Sequence, residues 1–193
     1  CRACGPSESL PVIRRCFCRF AFLAALCLGG SLGWTATPPG EYQIKAAYLL
    51  NFARYVEWPA ARLSSGATLR LCVLGRDPFG GALASLEGRL VNGHEVRVRQ
   101  MDSIEQAVDC HLVFVADSEE RRVGPILRGL AAHGVLTVSD IDGFADAGGG
   151  IGLVVEDSRV RFDINQAALL RDGLRASSQL LRLGRNVIGL KAP

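Results

Sequence analysis

Asp140 and Asp142 follow the short apolar run Val135–Val138. Two carboxylates one residue apart at the C-terminal edge of a sheet could divide acid and base work. Asp-x-Asp is also ordinary loop composition, and no nucleophile motif accompanies it. His94, His111 and His133 are scattered, without the His-Glu-x-x-His spacing that holds zinc. Outside the N-terminal leader, where Gly29–Gly33 matches by chance of composition, there is no Gly-x-Ser-x-Gly elbow. A hydrolase would need the fold to bring His111 or His133 to a serine and a carboxylate. Gly75–Gly80 sits at a strand-to-helix turn, where phosphates bind, but it lacks both the Gly-x-Gly-x-x-Gly spacing and the Gly-Lys-Ser/Thr of a P-loop. Gly148–Gly152 precedes a strand, the wrong order for a phosphate cradle. No constellation claims the chain as an enzyme, and none calls for a cofactor or metal.

The N-terminal region changes the bulk properties. Arg14, Arg15 and Arg19 precede the apolar run Phe20–Leu32, and small residues follow over 33–37. This predicts a signal peptide, too short for a membrane span. Residues 1–36 are expected to be this leader with a mis-assigned N-terminal extension, because the chain starts at Cys1. Of 22 Lys and Arg and 19 Asp and Glu, the leader holds four Arg and Glu8, so residues 37–193 have no formal net charge. The basic balance belongs to the leader, and a nucleic-acid role based on it falls away. Residues 37–193 are long enough for one domain with a sizeable core.

Five of seven cysteines lie in the leader, leaving Cys72 and Cys110. Two cysteines in an exported domain favour one disulfide, with two free buried thiols as the alternative. A bridge here would stabilise by roughly 3–4.5 kcal/mol through chain entropy.

The elements alternate. Residues 41–57 read as a helix that is apolar nearly all round, with Gln43, Asn51 and Arg54 on one stripe and Lys45 opposite. Most of its surface is expected to be buried, and Pro59 stops it. Leu69–Leu74, Cys110–Ala116 and Val135–Val138 read as buried strands, and His94–Arg99 as a half-exposed one. Helices are expected at 79–86, 103–108 and 117–132, the last ended by Gly134. Ile151–Glu156 and Arg159–Ile164 flank Asp157-Ser158 as a hairpin. Asn165 and Ser177 cap two last short helices. The pattern predicts a three-layer α/β/α sandwich with a mostly parallel central sheet and a C-terminal β-hairpin plus short helices. Cys72 then lies within one inner strand and Cys110 opens another, and these strands can be neighbours, which permits a bridge.

Tyr48, Phe52 and Tyr55 form an aromatic stripe. It suits core packing, or, with Trp58, a pocket wall or subunit contact. Arg161, Arg171, Arg175, Arg182 and Arg185 give the C-terminal part positive density. This is either a solvated face or a docking surface for an acidic partner or small anion.

The block Ile44–Pro59, IKAAYLLNFARYVEWP, resembles the opening of the YfiR-like periplasmic proteins. Leu71–Gly75, Cys110–Phe114, Ser139-Asp140 with Gly143–Ala145, Arg161–Asn165 and Gly173–Leu181 continue the likeness in order. The resemblance implies a repressor that binds the periplasmic sensing domain of an inner-membrane diguanylate cyclase. Its output is lower cyclic-di-GMP and less biofilm. An OmpA-like outer-membrane lipoprotein would relieve the repression, and the protein would be a homodimer. Cys72 and Cys110 match the family's structural disulfide. A second cysteine pair found near 148–152 in some relatives is missing here, so redox tuning through that bridge is not expected. Partner contacts are expected from Tyr48, Asn51, Phe52 and Trp58, and from Arg161, Asn165, Arg175, Ser177, Ser178 and Leu181. The alternative is a periplasmic small-molecule-binding module, with its ligand near the turns after Leu74 and Val138.

Overall fold

A computed structural model describes residues 40–189; the expected leader lies outside them. The chain opens with helix α1 (Glu41–Tyr55), followed by strands β1 (Val56–Glu57), β2 (Leu69–Leu74), β3 (Leu90–Val91) and β4 (His94–Met101). Helix α2 (Ile104–Ala107), strand β5 (Leu112–Val115), helix α3 (Val123–Leu130) and strand β6 (Leu136–Ser139) come next. Strands β7 (Ile151–Glu156) and β8 (Arg159–Asn165), helix α4 (Gln166–Arg171), β9 (Arg175–Ala176), α5 (Ser178–Leu183) and β10 (Asn186–Ile188) complete the order.

Eight strands form one sheet in the order β10-β8-β7-β6-β5-β2-β4-β3. Its pairs are parallel except β7–β8 and β3–β4. Both faces are covered, as the alternation within β2 records. Leu71 and Val73 join a core with Leu49 and Phe52 of α1, Leu169 of α4 and Leu180 of α5. Cys72 and Leu74 join a second core with Ala107 of α2 and Ile126 and Leu130 of α3. A parallel sheet buried on both sides needs such apolar runs. The three-layer sandwich is therefore the fold. The C-terminal hairpin is present too, with Asp157 and Ser158 at φ 50° and 58°, the conformation a two-residue hairpin turn requires.

Several boundaries differ from expectation. Helix α1 stops at Tyr55, because Val56 turns extended to pair with Ala176 of β9. Its surface is not mostly buried either. Ile44, Ala47, Asn51 and Arg54 face solvent, and Lys45 is the charged residue inside. An outer-layer helix touches the sheet with one face only, so apolar composition alone overstated its burial. The helix expected over 79–86 is a set of turns ending in one 3-10 turn, Leu83–Leu86. Gly80 at φ 55° breaks it, and the Asp77 side chain takes the Phe79 N–H. The helix expected from residue 117 begins as a 3-10 stretch, Asp117–Arg122, before α3. Pro125 has no N–H to continue a helix from that stretch.

Candidate functional site

Trp58 and Pro59 end the α1–β1 block, and the chain after them fastens the N-terminal edge of the sheet. The Trp58 indole N–H donates to the His111 carbonyl at 3.2 Å. The Arg62 guanidinium donates to the carbonyls of Val108 and Cys110. His111, 2% exposed, accepts the Arg70 backbone N–H on Nδ1 at 2.9 Å. Its Nε2 lies 3.1 Å from the Arg62 carbonyl and donates to it. Burial, reinforced by the charges of Arg62 and Arg70, lowers the His111 pKa to about 4. Its ring partners are both backbone groups, so no serine–carboxylate arrangement forms on it. Beside it, Cys72 and Cys110 are bonded, with Cα atoms 6.1 Å apart and both residues fully buried. The two free buried thiols are thereby excluded.

At the opposite end of the sheet, Asp140 turns toward α1. One carboxylate oxygen accepts from Lys45 Nζ at 2.6 Å and from the Tyr42 hydroxyl at 3.0 Å. Glu41, one turn earlier, also pairs with Lys45. Burial pushes the Lys45 ammonium down, but its hydrogen bonds to Asp140 and Glu41 outweigh that and leave its pKa raised. Asp142 is exposed, so Asp140 serves an ion pair and not a carboxylate couple. Lys45 stood alone opposite the helix's polar stripe, the one sequence signal that it needed a buried partner. Among the described residues no three His, Cys, Asp or Glu side chains gather as a metal group. Tyr42 and Phe79, edge to face at 5.3 Å, line a cavity of about 640 Å³ with Gly81, Ala82 and Ser85.

The expected contact residues divide by burial. Phe52 has no exposed surface; its ring packs 5.1 Å from that of Phe162. Asn165 is 8% exposed, capping α4 through the Ala168 N–H and donating to the Ala145 carbonyl. Ser177 caps α5 through the Leu180 N–H. Leu181 is half-buried against the core. Asn51, Arg161, Arg175 and Ser178 are exposed.

Two of the ten, Tyr48 and Arg161, meet in one place. A groove of about 500 Å³ lies between Ile44 and Tyr48 of α1, the stretch Ser158–Phe162, and Leu183 of α5. Trp58, Asn165 and Arg175 are not in it. Ile44 and Leu183 are among the few large apolar side chains left exposed. Tyr48 is half-buried, its hydroxyl donating to the Val160 carbonyl at 3.1 Å. The ion pairs of the described residues leave Arg159 and Arg161 without a carboxylate. The groove thus sets exposed apolar side chains beside a strand that carries two arginines without ion-pair partners among the described residues. Sequence reasoning missed Ile44, Arg159 and Leu183 as members of this groove, because no residue pattern shows which side of α1 the sheet leaves open.

The family model described as YfiR/HmsC-like matches residues 42–185, from α1 through the residue before β10. The chain belongs to the YfiR/HmsC-like family. The family is one of periplasmic regulators of diguanylate cyclase signalling. Among the described residues no helix is long and apolar enough to cross a membrane. An ABC domain from Streptococcus pneumonia, solved in complex with L-Trp, shares the fold at a TM-score of 0.52 and 9% identity. The match covers 74% of this chain and 60% of that one. A conserved domain protein from Vibrio cholerae O1 biovar El Tor gives 0.49 and 9%, over 76% of this chain and 60% of its own. This chain thus spans less than two thirds of either solved protein.

Proposed function

We propose that this protein represses an inner-membrane diguanylate cyclase by binding its periplasmic sensing domain. A regulator moves such an equilibrium only by its differential affinity for the two states, so it holds the cyclase off by preferring the off conformation. The observation that supports a docking role is the groove: exposed Ile44 and Leu183 beside Arg159 and Arg161. Tyr48, Arg161 and the exposed Asn51, Arg175 and Ser178 are expected contact residues that remain available at the surface. Phe52 and Asn165 act behind it by packing and capping. In the same reading an OmpA-like lipoprotein relieves repression by competing for this protein, and the active form is a homodimer. The test is complementation of a deletion strain with Leu183→Asp. That variant should fold, because Leu183 is 62% exposed, yet fail to lower cyclic-di-GMP. Full repression by Leu183→Asp would remove the groove from the contact surface.

A second reading is favoured by the cavity at Tyr42 and Phe79, which lies close to the turn after Leu74. An aromatic-walled recess at the C-terminal end of a parallel sheet suits a small molecule. Thermal-shift screening with periplasmic metabolites tests it, and no shift at saturating concentrations would dismiss it.

A further inference from the structure

The two edges of the sheet are treated differently. At the β4 edge, the Glu87 carboxylate accepts the Val98 N–H at 2.7 Å, and Gly88 and Arg89 bond the backbone of Val96. That edge is closed by its own chain. At the other edge, β10 pairs only with Asp163–Asn165. The first half of β8, residues 159–162, has β7 on one side and, among the described residues, no strand on the other.

The backbone directions along this free edge follow from parity. Asn165 N–H donates to the Gly150 carbonyl, on the β7 side. Residues 159, 161 and 163 therefore aim their backbone groups at β7, and residues 160 and 162 aim theirs outward. The two carbonyls fit: Phe162 O takes the Arg185 N–H at 2.7 Å, and Val160 O takes the Tyr48 hydroxyl. The amides of Val160 and Phe162 face the same way, alongside the groove floored by Ile44, Tyr48 and Leu183.

We infer that the open edge of β8 receives an extended, acidic segment of the regulatory partner by strand addition. An apolar side chain of that segment seats against Ile44, Tyr48 and Leu183, and its carboxylates meet Arg159 and Arg161. The inference rests on the docking reading above and specifies its mode. An extended chain supplies the carbonyls that outward edge amides need, which a helix does not. Unpaired Arg159 and Arg161 select acidic residues and repel the same edge of a second copy.

The probe is a fluorescein-labelled peptide alternating acidic and apolar residues, Asp-Val-Glu-Phe-Glu-Val-Asp, followed by anisotropy with the purified protein. It should bind, and its counterpart with Lys at the acidic positions should not. Val160→Pro removes one outward N–H at an edge where proline is tolerated, and should weaken binding several-fold to about tenfold. The unaltered protein supplies a second arm that needs no mutation. A peptide N-methylated on one alternating set of amides should lose binding, while methylation of the other set should not. Arg159→Glu with Arg161→Glu should abolish binding without moving the melting temperature. Equal affinity for both methylated peptides, no binding at millimolar protein, or a dimer that Val160→Pro dissociates would overturn strand addition. Cells separate this from the parent reading. Repression retained by Val160→Pro and by the double Glu variant sinks strand addition alone. Cyclic-di-GMP unchanged on deleting the gene sinks the regulator reading instead.

Discussion

Replacing His111 with Asn should flatten the acid limb of this protein's stability curve. His111 is neutral in the fold because both ring nitrogens are committed: Nδ1 accepts from Arg70 and Nε2 donates to Arg62. Protonation would turn the acceptor into a donor facing an N–H and add a cation beside two guanidinium groups. The folded pKa is about 4 against 6.5 for the free side chain. At about 1.4 kcal/mol per pH unit, that difference is worth about 3 kcal/mol. The unfolded chain takes the proton first, so unfolding is favoured as pH falls. The contribution is complete above pH 6.5, shrinks through the interval down to about 4, and is absent below it. Between pH 7.5 and 4.5 the wild type should lose about 2.5 kcal/mol more than His111→Asn. Urea midpoints at the two pH values would read this as a difference of roughly 1–2 M in the shift. The variant should be less stable at pH 7.5, since it gives up the Nε2 bond, by about 1 kcal/mol. Parallel pH slopes for the two proteins would refute the assignment of a buried neutral imidazole.

Three other outcomes follow from the packing. Cys72→Ser with Cys110→Ser opens a 38-residue loop and should cost about 4 kcal/mol by the chain-entropy model, read as a lower melting temperature that wild type matches only when reduced. Asp140→Leu leaves the buried Lys45 ammonium, 4% exposed at the side chain, with only the more exposed Glu41 carboxylate, and should cost up to about 3 kcal/mol, most of it recovered when Lys45→Met is added. The raised Lys45 pKa stabilises below the unfolded value of 10.5 and is lost as pH climbs through the folded one, so alkaline unfolding should come earlier than in Lys45→Met with Asp140→Leu. Phe52→Ala should cost about 3–5 kcal/mol while Asn51→Ala on the solvent face changes stability little, a contrast that chemical denaturation resolves.

Much of the framework was legible because local rules governed it. Strand β2 occupies Leu69–Leu74 as its apolar run indicated. Ser103, Asn165 and Ser177 cap the helices that follow them, and Gly173 sits at positive φ where α4 ends, whereas α3 ends at Leu130, four residues before Gly134. What stayed hidden depends on long-range partners. Lys45 and Asp140 are 95 residues apart, and neither carries a sign of the other. Arg62 acts on carbonyls, which every residue has, so nothing in its surroundings announced the clamp. Strands β1, β9 and β10 are two or three residues long, too short for an alternating pattern to register. The groove was half visible: Tyr48 and Arg161 stood out as an aromatic and a cation, while Ile44 was expected to be buried with most of its helix and Leu183 was not singled out. Their exposure emerges only when the sheet shows which side of α1 it covers.

The central claim is that this protein lowers diguanylate cyclase output from the periplasm. Its most direct test is cellular cyclic-di-GMP, measured by mass spectrometry in a strain with the gene deleted and the cyclase intact. The account predicts a rise that re-expression of the wild-type chain reverses; a level unchanged by the deletion would contradict it.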